Sequence, residues 1–336
     1  MEAAGRMILA GDIGGTSTRV ALFDVEGDRL ISRVQTNYPS GNYPGLEAIL
    51  SEFLQTNRSR VEAACFGIAG PVRQGRVETP NLSWVVDAHQ LSLQLGLESV
   101  TLLNDLESTA YGIATLRTAD FAVLSDGAPV EAGSRAVIAA GTGLGEAALY
   151  WDGMLHRPYA SEGGHVDFAP RDELEADLLL HLREKFGHVS YERVVSGPGL
   201  LNLYQFLRDT GRGTEPAWLT ERLRREDPSA VIATAALEKS SELCAMALER
   251  FVSCYGAEAG NLALKVLATG GVYVGGGIAP KILPKLKEPV FMESFLDKGR
   301  YRKLMESIPV KVILNDRTAL LGAARHAALS TGLLGA

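Results

Sequence analysis

The chain has 336 residues, of which 46% are hydrophobic and 22% charged, an ordinary globular balance that at roughly 150 residues per domain leaves room for about two domains and argues against disorder or a fibre. Its 33 Lys and Arg against 40 Asp and Glu give a formal charge of −7, which repels phosphate backbones and argues against nucleic acid as a partner. No apolar run approaches the ~18 residues of a membrane helix, and Met1 to Met7 has no charged-then-apolar signal pattern, so no membrane partner and a cytoplasmic location are expected.

In chain order, the first predicted element is a strand, Ile8 to Asp12, followed by the turn Ile13-Gly14-Gly15-Thr16 and a second strand, Arg19 to Asp24. A third, Leu30 to Val34, completes an antiparallel meander. Leu46, Ile49, Leu50, Phe53 and Leu54 recur as one face of an amphipathic helix, with Pro44 near its first turn. Ala63 to Ile68 and Val100 to Leu103 are short apolar strands, the second running into Asn104-Asp105 and a helical stretch to Leu116. The opening pattern then recurs, with strand Arg135 to Ala140, turn Gly141-Thr142-Gly143-Leu144-Gly145 and returning strand Ala147 to Tyr150, which suggests two related domains.

The remainder is more helical. Leu174, Leu178, Leu182 and Phe186 line a helix ended by Gly187, and Leu200, Leu203, Tyr204 and Leu207 line another ended by Gly211. Good helix formers dominate from Ser229 to about Leu267, with Gly256 and Gly260 as breaks or close-packing points. Strand Val272 to Val274 meets Gly275-Gly276-Gly277, strand Val310 to Leu314 follows, and Ala319 to Leu329 closes the chain as a helix. Cys65, Cys244 and Cys254 have no CxxC spacing and read as reduced core thiols. His181, Glu184 and His188 are not HExxH and read as solvated polar positions.

A glycine turn between strands can aim successive backbone N–H groups at one point with no Cβ in the way, which suits phosphate, although each of the three turns alone could be a plain hairpin. Thr16 and Thr142 could add hydroxyl donors, and Asp12 could hold the hydration shell of Mg2+ or simply cap its turn. GxxxxGK[ST] is absent and Glu146 stands where GxGxxG needs its last glycine, which argues against a P-loop or a nicotinamide enzyme. Asp105 ends an apolar strand, where substrate sites of α/β sheets tend to lie; it is either a general base or a helix cap, and Asn104 could cap equally well.

The segments Asp12 to Arg19, Leu103 to Gly112, Gly141 to Gly145, Glu162-Gly163-Gly164-His165-Val166-Asp167-Phe168, Glu192 to Gly199 and Gly275 to Ile278, collinear from about Leu9 to about Gly322, resemble the bacterial glucokinase family of the actin, hexokinase and Hsp70 ATPase superfamily. The resemblance implies an α/β fold of two ribonuclease-H-like, actin/hexokinase-type domains flanking an active-site cleft. The small lobe would comprise 1–115 plus 316–336 and the large lobe 116–315. It implies ATP and Mg2+ as cofactors, D-glucose as substrate, transfer to the 6-hydroxyl as the first step of glycolysis, and a homodimer. Asp105 is then the catalytic base. Asn81, Asn104, Asp105, Glu162, His165 and Glu192 would bind sugar, whose hydroxyls suit carboxylates and a His. Gly11, Asp12, Ile13, Gly14, Gly15 and Thr16 form the first phosphate loop, Gly141, Thr142 and Gly143 the second, and Gly275, Gly276 and Gly277 the adenosine loop, with Asp12 meeting Mg2+ through water.

Three alternatives remain. A kinase for mannose, fructose or an N-acetylated amino sugar belongs with the repressor, ORF and kinase group, whose zinc cysteine cluster this chain lacks. A sugar-responsive regulator would bring a DNA-binding segment, for which about seven residues before the first strand are too few. An actin-like or chaperone-type ATPase has no use for Glu162, His165 and Glu192.

Overall fold

The computed structural model describes residues 7–79 and 82–335, so Asn81 lies outside the described residues. Two compact units divide them: the chain up to Thr118 with Asp152–Ala160 and the stretch from Asn315, and Ala119–Trp151 with Ser161–Leu314. Asp152–Ala160, read from sequence as part of the larger lobe, groups with the first unit, where Arg157 hydrogen-bonds Tyr111.

In the first unit β1 (Met7–Ile13), β2 (Ser17–Glu26) and β3 (Arg29–Pro39) form the antiparallel meander, and β4 (Val61–Ile68) and β7 (Val100–Asn104) join parallel to β1, in the order β3-β2-β1-β4-β7. One sheet face carries Leu9, Val20, Leu22 and Phe66 against α1 (Leu46–Asn57), whose Leu46, Ile49, Leu50 and Phe53 are buried as their spacing predicts. Pro44 lies outside α1, with Gly45 at its N-cap. Two short strands, β5 (Arg76–Glu78) and β6 (Val85–Asp87), and α2 (Ala88–Leu95) went unassigned from sequence, though Asp87 caps α2 on the amides of His89 and Gln90. The helix expected from Asp105 to Leu116 is shorter: α3 (Asp105–Gly112) gives way to a 3-10 turn, Ile113–Thr115.

The opposite sheet face, with Ile8, Ala10, Cys65 and Leu103, meets the closing helix Thr318–Ser330 (α12 below) through Leu320, Ala323, Ala324, Ala327 and Ala328. That helix and α3 cross almost backbone to backbone. A Cβ on Gly322 would stand 1.7 Å from the Ser108 carbonyl oxygen and one on Gly112 2.0 Å from that of Thr318, while Ser108 Oγ donates to the Ala319 carbonyl at 2.8 Å. Because this crossing anchors the helix that begins at Asp105, Gly322→Ala is expected to lower stability by about 3 kcal/mol, with Tm down roughly 5–10 °C. Thermal unfolding followed by circular dichroism checks this, and an unchanged Tm would refute it.

The second unit contains β8 (Phe121–Ser125), β9 (Arg135–Ala140), β10 (Leu144–Trp151), β12 (Gly271–Gly275) and β13 (Val310–Ile313), in the order β10-β9-β12-β13-β8. β9, β12 and β13 are mutually parallel, with β10 and β8 antiparallel outside them. β8 and the strand His156–Ser161 (β11) went unassigned from sequence. β10 begins at Leu144 rather than Ala147, which shortens the second turn to Gly141–Gly143. The helices are α4 (Glu173–Phe186), α5 (Gly197–Asp209), α6 (Ala217–Arg225), α7 (Pro228–Leu237), α8 (Glu242–Val266), α9 (Leu283–Leu286), α10 (Pro289–Leu296) and α11 (Arg302–Ser307). α8 runs unbroken through Gly256 and Gly260, where a Cβ would meet the carbonyl oxygens of Phe291 at 2.2 Å and Phe295 at 2.7 Å. These glycines therefore serve close packing of α10, and the break falls instead between α7 and α8. All three cysteines are buried and free.

Candidate active site

In the first unit the parallel strands β1, β4 and β7 end together, at Ile13, Ile68 and Asn104, which the register pairs in sequence. Asn104-Asp105 thus stands two strands from the first glycine turn, about 10 Å at the usual strand spacing. The turn is locked within itself and from Ser40, in the 3-10 turn that follows β3: Gly14 N–H donates to the Ser17 carbonyl at 3.0 Å, Ser40 Oγ donates to the Gly14 carbonyl at 2.7 Å, and Ser40 N–H donates to the Thr16 carbonyl at 3.1 Å. Gly11 is needed by packing, since a Cβ there would lie 2.6 Å from the Phe66 ring. Gly14 and Gly15 are partly buried and Thr16 is exposed.

Asp12 pairs across the hairpin with Arg19, whose guanidinium Nη2 donates to Asp316 Oδ2 at 2.7 Å. Burial pushes the Asp12 carboxyl up to about 6, against the pull of Arg19 and with a further push from Asp316. Arg19 and Asp316 were not singled out from sequence, because their pairing spans almost the whole chain.

Asn104 and Asp105 share the capping of α3. Leu106 N–H reaches Asn104 Oδ1 at 3.0 Å and Asp105 Oδ1 at 2.9 Å, and Asn104 Nδ2 donates to the Gly70 carbonyl at 3.1 Å. An amide has two donors and two lone pairs, so Asn104 keeps one of each to offer. Asp105 is only partly buried at the start of α3.

In the second unit the two remaining glycine turns sit side by side, because β9 and β12 are parallel neighbours and each turn follows a C-terminal strand end. In open α/β sheets that edge is where ligands bind. A single hydroxyl ties the two ends: Tyr255 on α8, fully buried, receives the Ala140 N–H at 3.1 Å and lies 3.2 Å and 3.3 Å from the carbonyl oxygens of Ile138 and Gly275. Gly276 has φ +83°, and a Cβ there would stand 2.3 Å from the Ala140 carbonyl oxygen, so glycine is required. Gly141 N–H donates to the Gly143 carbonyl at 2.8 Å, and Thr142 and Gly277 are exposed.

Glu162, His165 and Glu192 come together. His165 Nε2 lies 4.0 Å from Glu162 Oε2 and its Nδ1 3.9 Å from Glu192 Oε1, and Glu192 Oε2 accepts the Leu144 N–H at 3.0 Å beside the second turn. That oxygen occupies the place of a Gly143 Cβ, at 2.4 Å. Glu192 itself sits in the 3-10 turn Tyr191–Arg193, ahead of α5, which Ser196 caps on the Gly199 N–H. The loop glycines save space against β10: a Cβ on Gly164 would meet the Leu144 carbonyl oxygen at 1.9 Å and one on Gly163 the Glu146 carboxylate at 2.0 Å.

The other two histidines weighed from sequence lie elsewhere, His181 against the Phe206 ring and His188 Nε2 2.7 Å from Asp167 Oδ1. Glu146, read from sequence only as the residue that spoils a glycine fingerprint, is a buried carboxyl beneath the loop. Burial foremost, then the nearby Glu258 carboxylate, pushes it up to about 8 against the pull of Lys265.

A strand, glycine turn, strand opening repeated in two α/β units is the architecture of the actin and hexokinase fold class, and the comparisons with known proteins narrow that class to sugar kinases. The chain belongs to the glucokinase family, whose model, described as Glucokinase, matches residues 9–330. The glucokinase of Nostoc punctiforme is 43% identical over 96% of this chain and 99% of its own length. That of Synechocystis sp. is 42% identical over 98% of this chain and 100% of its own. The crystal structure of a glucokinase from an Antarctic psychrotroph, 31% identical, superposes with a TM-score of 0.84 over 96% of this chain and 99% of that one. A ROK family glucokinase from Streptomyces griseus, solved with glucose and AMPPNP, shares the fold at 22% identity, with a TM-score of 0.63 over 96% of this chain and 99% of its own.

Proposed function

We infer that this chain transfers the γ-phosphoryl group of ATP to the 6-hydroxyl of D-glucose, yielding glucose 6-phosphate and ADP. Family membership over nearly the whole chain supports the reaction. The observation that supports the sugar site is the approach of His165 to Glu162 and Glu192, with Glu192 held on the Leu144 N–H. A carboxylate, imidazole and carboxylate within this reach can accept from and donate to adjacent hydroxyls and so reject sugars that lack them.

Phosphoryl transfer asks mainly for an in-line oxygen nucleophile and neutralised charge. Asp105 takes the proton from O6 as the O6–phosphorus bond forms and the bond from phosphorus to the β-phosphate oxygen breaks. Asn104 orients the sugar with its spare amide capacity. The Gly11–Thr16 and Gly141–Gly143 loops receive the phosphate oxygens on backbone N–H groups other than those of Gly14 and Gly141, which bond within their turns, and Gly275–Gly277 receives the adenosine. A carboxylate that burial and Asp316 hold above its ordinary value is eased by a nearby cation, so Asp12 fits an ion reached through water. When bound with ATP, Mg2+ supplies charge neutralisation at the phosphates. With this reading go a homodimer and a place in the cytoplasm at the first step of glycolysis.

The test is ADP release with Mg-ATP against glucose, mannose, fructose, galactose and N-acetylglucosamine. Glucose is expected to give fast turnover, and ATP alone a small fraction of it, since water lacks the contacts that bring a sugar hydroxyl into line. Preference for another sugar would overturn the choice of glucose and the reading of Glu162, His165 and Glu192. ATP turnover that no sugar stimulates would replace the kinase with a regulator or a switch ATPase.

A further inference from the structure

We propose that Glu146 is a buried carboxyl held protonated against the Glu258 carboxylate, and that it is thereby a positioning residue that holds the Gly163–His165 loop and the Tyr191–Arg193 turn for sugar binding. The proposal rests on the reading of Glu162, His165 and Glu192 as sugar ligands. Glu146 on β10 is 1% exposed and Glu258 on α8 is fully buried. One oxygen of Glu146 lies where a Gly163 Cβ would be, 2.0 Å away, and the other is buried with no donor. The Glu146 side chain neighbours that of Glu258, an acceptor when ionised, so their contact is a hydrogen bond only when Glu146 carries a proton. Glu258 is itself well supplied, accepting from Asn261 Nδ2 at 2.8 Å and from Lys265 Nζ at 3.1 Å.

The same Asn261 amide donates to the Tyr191 hydroxyl at 3.1 Å, one residue before Glu192. A continuous path therefore joins Gly163, Glu146, Glu258, Asn261 and Tyr191, touching both elements that carry the sugar ligands. The charged and titratable groups facing Glu146 are Glu258, Lys265 and Tyr255 from α8, with Tyr191 reached through Glu258 from the 3-10 turn. On the loop side Ser161 Oγ accepts the Gly163 N–H at 2.9 Å and contributes no charge. Lys265 and Lys298, the latter beside Gly260, set their positive charge against Glu258, while Lys265 is the cation that acts on Glu146 itself. A second ionisation leaves two carboxylates in contact in a dry site, and the Glu146 carboxylate is driven against Gly163.

The folded-state value near 8 lies above the 4.5 of an ordinary Glu. The contribution of protonated Glu146 is therefore complete below about 4.5, declines as pH rises and is gone above about 8. Loss of the docked loop reduces the fraction of molecules competent to bind sugar and raises the sugar KM in proportion. Phosphoryl transfer within molecules that have bound sugar is untouched, so kcat stays level.

The experiment compares glucose KM and kcat at saturating Mg-ATP from pH 7 to 9 for the parent and Glu146→Gln, which keeps the shape and a donor toward Glu258 without an ionisable proton. The parent KM is expected to rise several-fold, up to roughly tenfold, at level kcat, while the Glu146→Gln KM stays flat. Should Glu146→Gln not fold, Glu258→Gln, which leaves one ionisable carboxyl, is expected to flatten the same rise. Parallel pH courses for parent and variant, or a flat parent, would overturn the proposal. His165→Ala at pH 7 separates the two levels. If it raises glucose KM while the pH courses coincide, the carboxyl pair alone is refuted, and if it leaves KM unchanged, the sugar site and the proposal fall together.

Discussion

Asp105→Ala is expected to lower kcat by about 10²- to 10⁴-fold while KM for ATP stays within about twofold, the range for losing one general base. That corresponds to about 3–5.5 kcal/mol of transition-state stabilisation. The cap of α3 does not depend on Asp105 alone. Leu106 N–H is held by Asn104 Oδ1 as well as by Asp105 Oδ1, so α3 keeps its cap and the crossing with α12 keeps α3 in place. Asp105→Asn retains the acceptor oxygen toward Leu106 and cannot take a proton, so it should lose nearly as much kcat with Tm unchanged. Steady-state rates with glucose and ATP varied in turn decide the matter. A large rise in ATP KM, or a kcat within tenfold of the parent, would remove Asp105 from the role of base.

Asp105 was legible in the sequence because an apolar strand, Val100 to Leu103, delivers it to a sheet edge, and the first two glycine turns because strands flank each. What put the second and third turns side by side was not legible, since β9 and β12 pair in parallel across more than a hundred residues of intervening chain. For the same reason Tyr255 gave no local signal: its hydroxyl has meaning only where Ala140 and Gly275 meet. Glu146 showed in the sequence only as a break in a glycine fingerprint, because nothing local reveals that β10 starts two residues earlier and turns that side chain inward. Gly256 and Gly260 left two readings open, and the carbonyls of Phe291 and Phe295, supplied by another helix, decided between them. The unassigned strands β5, β6 and β8 are too short to show an alternation of their own.

Gly164→Ala is expected to raise the glucose KM by about 10²-fold, since a shift near 1 Å in a positioning loop carries a cost of that order. The new methyl would stand 1.9 Å from the Leu144 carbonyl oxygen, and backbone, unlike the end of a side chain, cannot swing aside. Two responses are available. If the Gly163–His165 loop lifts, Glu162 and His165 leave their approach to Glu192. If β10 yields instead, Leu144 moves and its N–H loses the 3.0 Å bond that holds Glu192. Either way the cluster of three opens, so the loss falls on sugar affinity whichever element gives. ATP KM should change little only in the first case, because the second also disturbs the Gly141–Gly143 turn adjoining β10. Measuring both constants therefore reports which side moved, and an unchanged glucose KM in a folded Gly164→Ala protein would mean that this loop holds no sugar ligand.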